Sequence, residues 1–550
     1  MGRDLVEHAV PGGHGEFPAA RLRWDPDHRE RTWSRLESQW DVVVVGGGIT
    51  GAGVLRAAAR LGLRAVLLEQ EDFAWGASSR STKLVHGGLR YLARGQVGVT
   101  RESVRERDAL VREVPGLVAP LPVLLPLYDG QAARWLAYRS ALGAYDALEG
   151  RLHRHAVDAQ EVRLLVPPLR RRGLRGGLRY REAQTDDARL VLRVLREAVG
   201  AGGAALNAVR VAGLLRRDGR VCGVQVVDRL TGREAELEAA VVVNATGAWA
   251  DRLRGQVGAP ARMRPVRGSH LLLPEWRFPL AMAVNVVSPR DGRHVSVVPW
   301  EGATLVGTTD IDHGEVPDGE PCASADEVDY LLECLQGPFR SLELTAADVV
   351  STWSGIRPVV SSGAVASWDE SRGHAVWEEE GLLTAAGGKL TTFRVLARDV
   401  LAAAAPHLPT PGRAPAPAGP PPGVQPAGRL GARFGAEAGA VLAAAHEEDR
   451  EFVAATPTTW AEVRWSLRCE AVNSLQDLML RRTRLGLLLP FGGAEVLDRV
   501  GALCAEELGW DASRWARERS AYAARIRASH SVPPREAAQP ADGGRVPAPA

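Results

Sequence analysis

The sequence predicts an α+β protein that opens with a βαβ unit and ends in a helical domain, and three observations carry this prediction. A valine-dominated run at 41–45 precedes a glycine turn and an alanine-rich helix at 51–61, as in a buried parallel strand that feeds a helix. Strand-like segments fill 264–310. Beyond a proline-rich stretch, the pattern over 429–530 is helical.

Length and composition describe an ordinary globular protein and exclude several classes. The 550 residues suit two to four domains, and 45% of them are apolar and 24% charged. A formal net charge of +2 gives no bulk electrostatic reason to expect a nucleic-acid partner. The longest apolar stretch, 117–128, has 12 residues, whereas a membrane-spanning helix needs about 20. The first 40 residues lack the apolar core of a secretory signal.

The five cysteines lie far apart, at Cys222, Cys322, Cys334, Cys469 and Cys504. No two of them form a Cys-x-x-Cys pair, and their number is odd. We therefore expect reduced thiols in a cytoplasmic compartment, with no disulfide framework and no metal site.

Lysine is scarce in this chain. Of the 68 basic side chains only two are lysines, Lys83 and Lys389. A chain that uses arginine wherever a generic positive charge is sufficient is expected to keep lysine where a compact ammonium on a flexible stem is required. We therefore expect functional roles for both lysines, with chance retention as the alternative.

The elements of the first third follow from local patterns. Residues 1–40 form a polar N-terminal extension with a short helical patch at 30–39. The first βαβ unit closes with a strand at 64–69. Residues 96–180 are expected to be mostly helical and rich in arginine, with a proline-broken apolar segment at 117–128.

Strands and helices then alternate up to a proline-rich boundary. The expected elements are a helix at 189–199, hairpin strands over 210–238, a strand at 240–244, a helix at 325–335, a strand at 382–384 and a helix at 391–403. Nine prolines mark residues 405–428 as a linker. In the domain that follows, the longest helix is expected to carry an apolar stripe from Trp460 to Leu478. The last 20 residues form a Pro/Ala tail.

The glycine turn after the first strand matches a dinucleotide-binding fingerprint. Gly46, Gly48 and Gly51 fit G-x-G-x-x-G between a strand and a helix, which is the context that the motif requires. The helix N-terminus then faces the negative charge of a pyrophosphate. Glu69 ends the second strand, where its carboxylate can accept hydrogen bonds from an adenosine ribose, which favours FAD or NAD over NADP.

A second glycine turn favours FAD over NAD. The strand at 240–244 ends in Ala245-Thr246-Gly247, far along the chain from the first unit. FAD, whose flavin half extends beyond the pyrophosphate, has a use for a second close backbone approach at Gly247. An ordinary strand-to-helix turn is the alternative.

These motifs and others further along carry a resemblance to a known family. The chain resembles the FAD-dependent sn-glycerol-3-phosphate dehydrogenases, members of the D-amino-acid-oxidase-like flavoproteins. The matching segments are GGGITGAG (46–53), SSRSTKLVHGGLRYL (78–92), DDARLVL (186–192), NATGAWAD (244–251), RGSH (267–270), VGTTD (306–310), SGIRP (354–358), GGKLTTFR (387–394) and LRCEAVNSLQDLMLRRTRL (467–485).

The resemblance implies an α+β flavoprotein of the two-dinucleotide-binding-domain type. It combines a D-amino-acid-oxidase-like FAD domain, an antiparallel-sheet substrate domain and a C-terminal helical domain. The implied division is an extension at 1–40, an FAD part from 41–95, 181–260 and 350–404, a substrate part from 96–180 and 261–349, a linker at 405–428, a helical domain at 429–530 and a tail at 531–550.

The resemblance also implies a reaction. Glycerol 3-phosphate is oxidised at C2 to dihydroxyacetone phosphate, with hydride transfer to FAD. Electrons then pass to a membrane quinone, which serves glycerol catabolism and respiratory electron supply, or in oxidase members to dioxygen. A quinone partner implies a cytoplasmic protein held peripherally on the inner face of the cytoplasmic membrane. The electron acceptor, the membrane-contacting surface and the oligomeric state, with a homodimer as one option, stay open.

The matched motifs supply candidates for the chemistry. Arg90, Tyr91 and Lys389 are expected to bind the substrate phosphate, since charge-assisted hydrogen bonds recognise such dianions. His270 is the first candidate for the base that takes the C2 hydroxyl proton, because imidazole titrates near neutral pH. Arg357 is expected to bind substrate and to stabilise the developing alkoxide. Lys389 is also expected to be catalytic, through a contact made mainly in the transition state. The identity of the base stays open, and each of these side chains has a structural alternative.

The remaining candidates concern the cofactor. Ser78, Ser79 and Ser81 follow a glycine and are expected, together with Lys83, to contact FAD, with a plain Ser/Thr turn as the alternative. Gly388 is expected to let the backbone approach the flavin. No His or Cys is clearly placed to tether a flavin covalently.

Two rival functions remain. One is a flavin oxidase acting on an amine or amino acid, which would carry a carboxylate clamp in place of a phosphate site. The other is a non-catalytic FAD-holding scaffold.

In the last domain, Arg481, Arg482 and Arg484 are expected to be a solvated helix end, with a contact to a partner or to anionic lipid as the alternative.

Overall fold

The computed structural model describes most of the chain. It covers residues 24–25, 27–92, 95–150, 154–361, 363, 373–410 and 428–535, without the side chains of Arg90 and Glu149. Most of the predicted extension, most of the linker and the end of the tail therefore lie outside the described residues. The described part of the extension contains a helix, although a shorter and earlier one than the patch expected at 30–39.

The described strands, in chain order, are β1 (Trp40–Val45), β2 (Ala65–Leu68), β3 (Leu84–Val85), β4 (Val118–Tyr128), β5 (His155–Asp158), β6 (Leu174–Thr185), β7 (Ala204–Leu206), β8 (Val209–Arg217), β9 (Arg220–Asp228), β10 (Glu234–Asn244), β11 (Met263–Pro274), β12 (Ala283–Val287), β13 (His294–Trp300), β14 (Ala303–Gly307), β15 (Ile311–Asp312), β16 (Ser351–Val360), β17 (His374–Glu379) and β18 (Leu382–Gly387).

The described α-helices are α1 (His28–Trp33), α2 (Ile49–Arg60), α3 (Leu89–Leu92), α4 (Val97–Glu113), α5 (Ala132–Glu149), α6 (Ala159–Leu165), α7 (Asp187–Gly200), α8 (Ala250–Gln256), α9 (Ala325–Gln336), α10 (Phe393–Ala404), α11 (Gly428–Phe434), α12 (Ala438–Ala443), α13 (Trp460–Cys469), α14 (Leu475–Asp477), α15 (Leu485–Leu488), α16 (Leu497–Leu508) and α17 (Ala512–Arg525).

The first sheet has a parallel centre with the order β17-β18-β10-β1-β2-β7, and β8 and β9 extend it through β10. β1 lies between β10 and β2 and is parallel to both. All six of its residues are buried, which explains the uninterrupted valine run. Helices α2, α7 and α10 contribute buried apolar residues to the core that includes β1. The predicted βαβ unit is therefore present.

The second sheet has the order β15-β11-β14-β13-β12-β4-β6-β3, with β16 paired to β11 and β5 to β6. Most of its pairs are antiparallel, as predicted for a substrate domain, and β12 with β4 is a parallel exception. β16 and β3 belong to this sheet, although 350–404 and 41–95 were expected in the FAD part. The second sheet therefore includes one strand from each of these two ranges, which the predicted boundaries assigned to the FAD part.

The prediction that 96–180 is mostly helical is wrong at both β4 and β6. The apolar segment 117–128 forms an 11-residue strand that pairs with β6 over nearly its whole length. Its three prolines, Pro120, Pro122 and Pro126, differ in position by two and by four, which are even numbers. The N–H groups that they lack therefore all fall on one edge of the strand, which leaves the other edge free to hydrogen-bond.

The long helix expected from Trp460 to Leu478 is interrupted. Helix α13 ends at Cys469, and a new helical segment starts at Leu475. Between them Ala471 adopts a positive φ of 50°, which breaks the helical path, and the Ser474 side chain caps the next segment. The stripe residues are nonetheless largely buried in the core beneath the second sheet, so the apolar pattern was right about burial and wrong about continuity.

The arginine cluster of the last domain is buried, contrary to the expected solvated helix end. Arg482 donates two hydrogen bonds to Asp72, at 2.7 and 2.8 Å, and Arg481 pairs with the same carboxylate. Arg484 donates to Asp186 at 3.0 Å and also pairs with Asp187. Each arginine is at most 1% exposed. The cluster therefore joins the helical domain to the cofactor half of the protein through buried ion pairs.

Candidate active site

Residues of both sheets line a large cavity of about 840 Å³. This volume is at the upper end of the range for ligand pockets, about 300–1,000 Å³. The predicted site residues that line it are Gly46, Gly48, Glu69, Ser78, Ser81, Tyr91, Gly247, His270, Arg357, Gly388 and Lys389. Gly51, Ser79 and Lys83 lie behind the wall. Arg90 belongs to α3, and its side chain is outside the described part of the structure.

The turn between β1 and α2 forms one end of the cavity. Gly46 has a φ of +111°, and a Cβ added there would come within 2.6 Å of the carbonyl oxygen of Ala245. A Cβ on Gly51 would meet the carbonyl oxygen of Gly46 at 1.9 Å. Both positions therefore exclude a side chain, and bare backbone faces the cavity at the start of α2. Such a helix N-terminus suits a phosphate group.

Glu69 closes this end and is tied to the backbone. Its carboxylate accepts hydrogen bonds from the N–H groups of Gly47 at 2.7 Å and Glu71 at 2.8 Å. Burial is the largest effect on its acidity and raises the pKa of Glu69 to about 7. The carboxylate is therefore oriented by two backbone donors while it faces the cavity.

The loop after β2 brings hydroxyl groups to the start of α2. The Ser78 hydroxyl accepts a hydrogen bond from the N–H of Ile49 at 3.0 Å. Ser81 is held at the other end of the loop, because its hydroxyl and its N–H both donate to Asp187, at 2.7 and 3.0 Å. Ser79 is buried, and its carbonyl oxygen accepts a hydrogen bond from Lys83.

Two further glycine turns line the cavity away from α2. Gly247 follows β10, whose carboxyl end lies beside that of β1. Gly388 follows β18 and adopts a φ of +74° immediately before Lys389. The carboxyl ends of parallel strands are the edge at which such sheets bind ligands. The predicted second backbone approach is therefore on the same edge as the first.

Lys389 and Tyr91 meet in a different part of the cavity wall. The Lys389 ammonium donates to the Ser103 hydroxyl at 2.6 Å and lies 4.1 Å from the centre of the Tyr91 ring. The Tyr91 ring also stacks with the ring of His86, at 6.0 Å between centroids. Both residues line the cavity, where the compact cation of Lys389 lies over the Tyr91 ring.

Arg357, on β16, is fixed by the segment after β14. Its guanidinium donates to the Asp310 carboxylate at 3.0 Å and to the Thr308 hydroxyl at 2.9 Å. Its side chain is 26% exposed, so part of the guanidinium still reaches the cavity. Asp310 lines the cavity but is not among the predicted site residues, and its matched segment VGTTD is the signal that could have identified it.

His270, on β11, lines the cavity although it is only 2% exposed. Its Nε2 lies 3.0 Å from the Thr82 hydroxyl, and its ring stacks on Trp353 at 5.3 Å between centroids. Burial, with a smaller contribution from the positive charge of Arg357, holds the pKa of His270 well below its usual value. The imidazole is therefore neutral at physiological pH, and its expected titration near neutrality does not occur in the folded chain.

Lys83 is placed differently from the prediction that it contacts the cofactor. It is fully buried, and its ammonium donates to Asp187 at 2.8 Å and to the Ser79 carbonyl oxygen at 2.7 Å. The expectation for this lysine came from a serine-rich segment that does reach the cavity, whereas the side chain of Lys83 points into the protein behind it. In the described residues, no group of three or more His, Cys, Asp or Glu side chains comes together as a metal site.

Comparison with known families identifies this arrangement. A family model described as FAD dependent oxidoreductase matches residues 41–394, which is more than half of the chain. The chain belongs to this family. A second family model, described as the C-terminal domain of alpha-glycerophosphate oxidase, matches residues 423–515. The family resemblance of the motifs and the predicted fold class are both confirmed.

Individual relatives agree with the family assignment. The aerobic glycerol-3-phosphate dehydrogenase of Staphylococcus aureus (strain USA300) is 38% identical over 372 residues, which are 66% of this chain and 66% of that protein. The match thus spans slightly less than two thirds of the relative. The structure of the glycerol-3-phosphate dehydrogenase of Bacillus halodurans, complexed with FAD, superposes with a TM-score of 0.73 at 27% identity. The match covers 94% of this chain and 100% of that chain.

A third relative shares the fold. The L-alpha-glycerophosphate oxidase of Mycoplasma pneumoniae, with FAD bound, has a TM-score of 0.54 at 16% identity and covers 66% of this chain and 94% of its own. FAD is the cofactor of this FAD-dependent oxidoreductase. The residues present fit it, because the backbone around Gly46 faces the cavity without side chains and the carboxylate of Glu69 stands at the end of the second strand.

Proposed function

We propose that this FAD-dependent oxidoreductase oxidises sn-glycerol 3-phosphate at C2 to dihydroxyacetone phosphate. The observation that carries the proposal is the presence of two chemically different groups in one cavity wall. One is the cation and phenol pair of Lys389 and Tyr91, and the other is the imidazole and guanidinium pair of His270 and Arg357. The relatives named as glycerol-3-phosphate dehydrogenases support the same substrate.

Lys389 and Tyr91 are the proposed phosphate-binding residues. An ammonium suits a phosphate as a compact point charge, and the Tyr91 hydroxyl adds a neutral donor. Ser103 orients the ammonium by accepting a hydrogen bond from it at 2.6 Å. Arg90 is proposed as a third phosphate ligand on the strength of its motif alone.

His270 and Arg357 are the proposed catalytic residues at C2. A neutral imidazole can accept the hydroxyl proton without first losing one of its own. Thr82 orients the ring through its contact with Nε2. Arg357, oriented by Asp310 and Thr308, is proposed to stabilise the negative charge that develops on the C2 oxygen. FAD, when bound, supplies the acceptor for the hydride.

We propose a membrane quinone as the electron acceptor and a peripheral position on the cytoplasmic membrane, in glycerol catabolism. The support is the family resemblance of the motifs. Among the described residues, no helix is long and apolar enough to cross a bilayer. Dioxygen is the second candidate acceptor, because the match over 423–515 is to a domain described from an oxidase.

Anaerobic mixing of the purified protein with candidate substrates tests the reaction. Glycerol 3-phosphate is expected to bleach the flavin absorbance, whereas glycerol and a panel of amino acids are expected to leave it unchanged. Bleaching by an amino acid would instead support the amine-oxidase rival, and no bleaching by any substrate would support a scaffold.

The reduced protein then tests the acceptor and the location. Rapid reoxidation by a soluble quinone, with slow reoxidation by air, is the expected result, and the reverse order would assign an oxidase. Flotation with anionic lipid vesicles is expected to carry the protein with the lipid. A protein that stays unbound at low ionic strength would contradict the membrane assignment.

A further inference from the structure

Lys83 occupies a fully buried position that the reaction does not use. Besides its bonds to Asp187 and the Ser79 carbonyl oxygen, its ammonium lies 5.3 Å from the ring of Trp300 and 5.0 Å from that of Trp353. The ammonium is therefore enclosed by a carboxylate, a carbonyl oxygen and two aromatic rings, all of which favour a cation.

The carboxylate of Asp187 is shared by two elements of the cofactor half. Asp187 begins helix α7 and accepts hydrogen bonds from both the hydroxyl and the N–H of Ser81. Its other oxygen accepts from Lys83 at 2.8 Å. The loop 76–82 is thus anchored to α7 at a point directly behind the cavity wall.

The C-terminal domain supplies a third member. Arg484 pairs with Asp187, donates to Asp186 at 3.0 Å, and is itself held by the Leu480 carbonyl oxygen at 2.7 Å. Arg484 is 1% exposed and adopts a positive φ of 65°, so its placement depends on the local fold of the helical domain. A residue nearly 300 positions away from Asp187 in sequence therefore closes the same cluster.

We propose that Lys83, Asp187 and Arg484, the Asp187 cluster, are positioning residues that hold loop 76–82 against the FAD site. The loop carries Ser78, which meets the first turn of α2, and Thr82, which meets His270. The cluster holds the loop between these two residues, at the Ser79 carbonyl oxygen and at Ser81. Its effect through Thr82 on His270 rests on the proposed function, whereas its effect on FAD binding does not.

The charge of Lys83 gives the cluster a pH-dependent signature. The groups that face this ammonium are Asp186, Asp187, Arg484 and His270, in addition to the two tryptophan rings. Burial, and next the positive charge of Arg484, lower the pKa of Lys83 to about 8. Above that pH the amine is neutral. The carboxylates of Asp186 and Asp187 behind the loop are then balanced by one positive charge fewer. The loop environment then becomes less favourable for the anionic pyrophosphate of FAD.

The release of FAD from the holoenzyme tests the proposal without any substrate. Flavin fluorescence that appears on dilution gives the dissociation rate between pH 7 and 9.5. For the unaltered protein we expect the rate to rise above pH 8, by about threefold or more at pH 9. In Lys83→Met we expect release about tenfold faster at pH 7.5 and no further rise above pH 8, because the titrating group is gone.

A matched control separates positioning from general loss of stability. Asp449→Asn breaks a buried ion pair with Arg464, 2.6 Å long, that lies wholly within the C-terminal domain. This variant is expected to melt at a lower temperature with FAD release as in the unaltered protein. With FAD held at saturation, Lys83→Met is further expected to lower kcat for the proposed substrate while KM stays the same.

Two outcomes overturn the proposal. One is a Lys83→Met protein that releases FAD at the rate of the unaltered protein with the same pH profile. If that variant does not fold, the second outcome decides: an FAD release rate in the unaltered protein that is flat from pH 7 to 9.5. Absence of glycerol 3-phosphate turnover would contradict the proposed function and leave the FAD measurements valid.

Discussion

The ammonium of Lys389 lies 2.6 Å from the hydroxyl oxygen of Ser103, a residue of helix α4, and 4.1 Å from the centre of the Tyr91 ring. This contact fixes a compact cation between a helix and the cavity. The backbone before it is a pair of glycines with positive φ, and Gly387, Gly388 and Lys389 all line the cavity.

Replacing Lys389 by arginine is expected to damage the enzyme although the charge is kept. The longer, planar guanidinium cannot occupy the same space beside Ser103 and Tyr91. Loss of a charge-assisted contact made mainly in the transition state costs about 2–4 kcal/mol, or roughly 30- to 1000-fold in kcat/KM. Steady-state kinetics with a dye acceptor, after the FAD content has been checked, measures the effect.

Arg64→Lys is the matched control for this prediction. The Arg64 side chain is 60% exposed and its ion pair with Asp41 is at the surface, so the exchange is expected to be near neutral. If Lys389→Arg retains FAD and turns over within about threefold of the unaltered protein, the phosphate-binding role of Lys389 fails.

Retention of FAD is expected to improve as the pH rises through 7, because the proposed ribose contact requires an ionised Glu69. The raised pKa of about 7 means that the free site is half protonated at neutral pH. Binding of FAD to the ionised form alone would weaken by up to about tenfold for each pH unit below 7. Titration of the apoprotein with FAD between pH 5.5 and 7.5, below the range in which Lys83 titrates, measures this.

The stability of the apoprotein is expected to change in the opposite sense. A carboxyl whose folded pKa is above its unfolded value stabilises the fold at low pH, and this contribution is lost as the pH rises from about 4.5 towards 7. Glu69→Gln should remove both pH dependences. An FAD affinity that is independent of pH in the unaltered protein would contradict the role of Glu69.

Arg482→Met is expected to destabilise the protein strongly. The change removes the two hydrogen bonds that Arg482 donates to the buried carboxylate of Asp72, although Arg481 still contacts this carboxylate. Breaking a buried pair from one side costs about 3–5 kcal/mol. Thermal denaturation measures the loss. Arg233→Met removes an exposed pair with Glu30 and should leave the melting temperature unchanged; an equal loss in both variants would contradict the proposed importance of the buried cluster.

The cofactor end was the most predictable part of the site, because its signals are local. Gly46, Gly48 and Glu69 lie within one βαβ unit, and the valine run fixes the strand that leads to them. The position of Gly247 beside them required only that the carboxyl ends of two parallel strands share an edge. In contrast, the strand at 117–128 was missed because its prolines suggested an interruption, whereas their even spacing preserves one bonding edge.

The ion pairs could not be predicted, since they join residues far apart in the chain. Arg484 meets Asp187 across nearly 300 residues, and a sequence with 66 arginines offers no means of choosing which of them are buried. Asp310, which orients Arg357, was also missed, although its matched segment VGTTD could have identified it. His270 was correctly chosen as a candidate that reaches the cavity, but its acidity depends on burial and on Arg357, which only the tertiary structure supplies.

The pH profile of kcat/KM is expected to respond to Arg357 through His270. Removal of the positive charge in Arg357→Met takes away one of the effects that lower the pKa of His270, so that this pKa rises towards its usual value near 6.5. A base with a higher pKa is protonated at higher pH. The acid limb of the profile should therefore move towards neutral pH in Arg357→Met relative to the unaltered protein, in addition to any uniform loss of rate.

Comparison of the two profiles cancels the titration of the substrate phosphate, which is the same in both. The pH dependence of the protein's stability provides an independent test of the lowered pKa of His270, and its direction can be predicted. The folded pKa of His270 lies below its unfolded value, so its contribution is fully present above about pH 6.5 and is lost as the pH falls below that value. His270→Asn should therefore flatten the fall of the melting temperature on acidification. Acid limbs that coincide in the unaltered protein and in Arg357→Met would show that His270 is not the base.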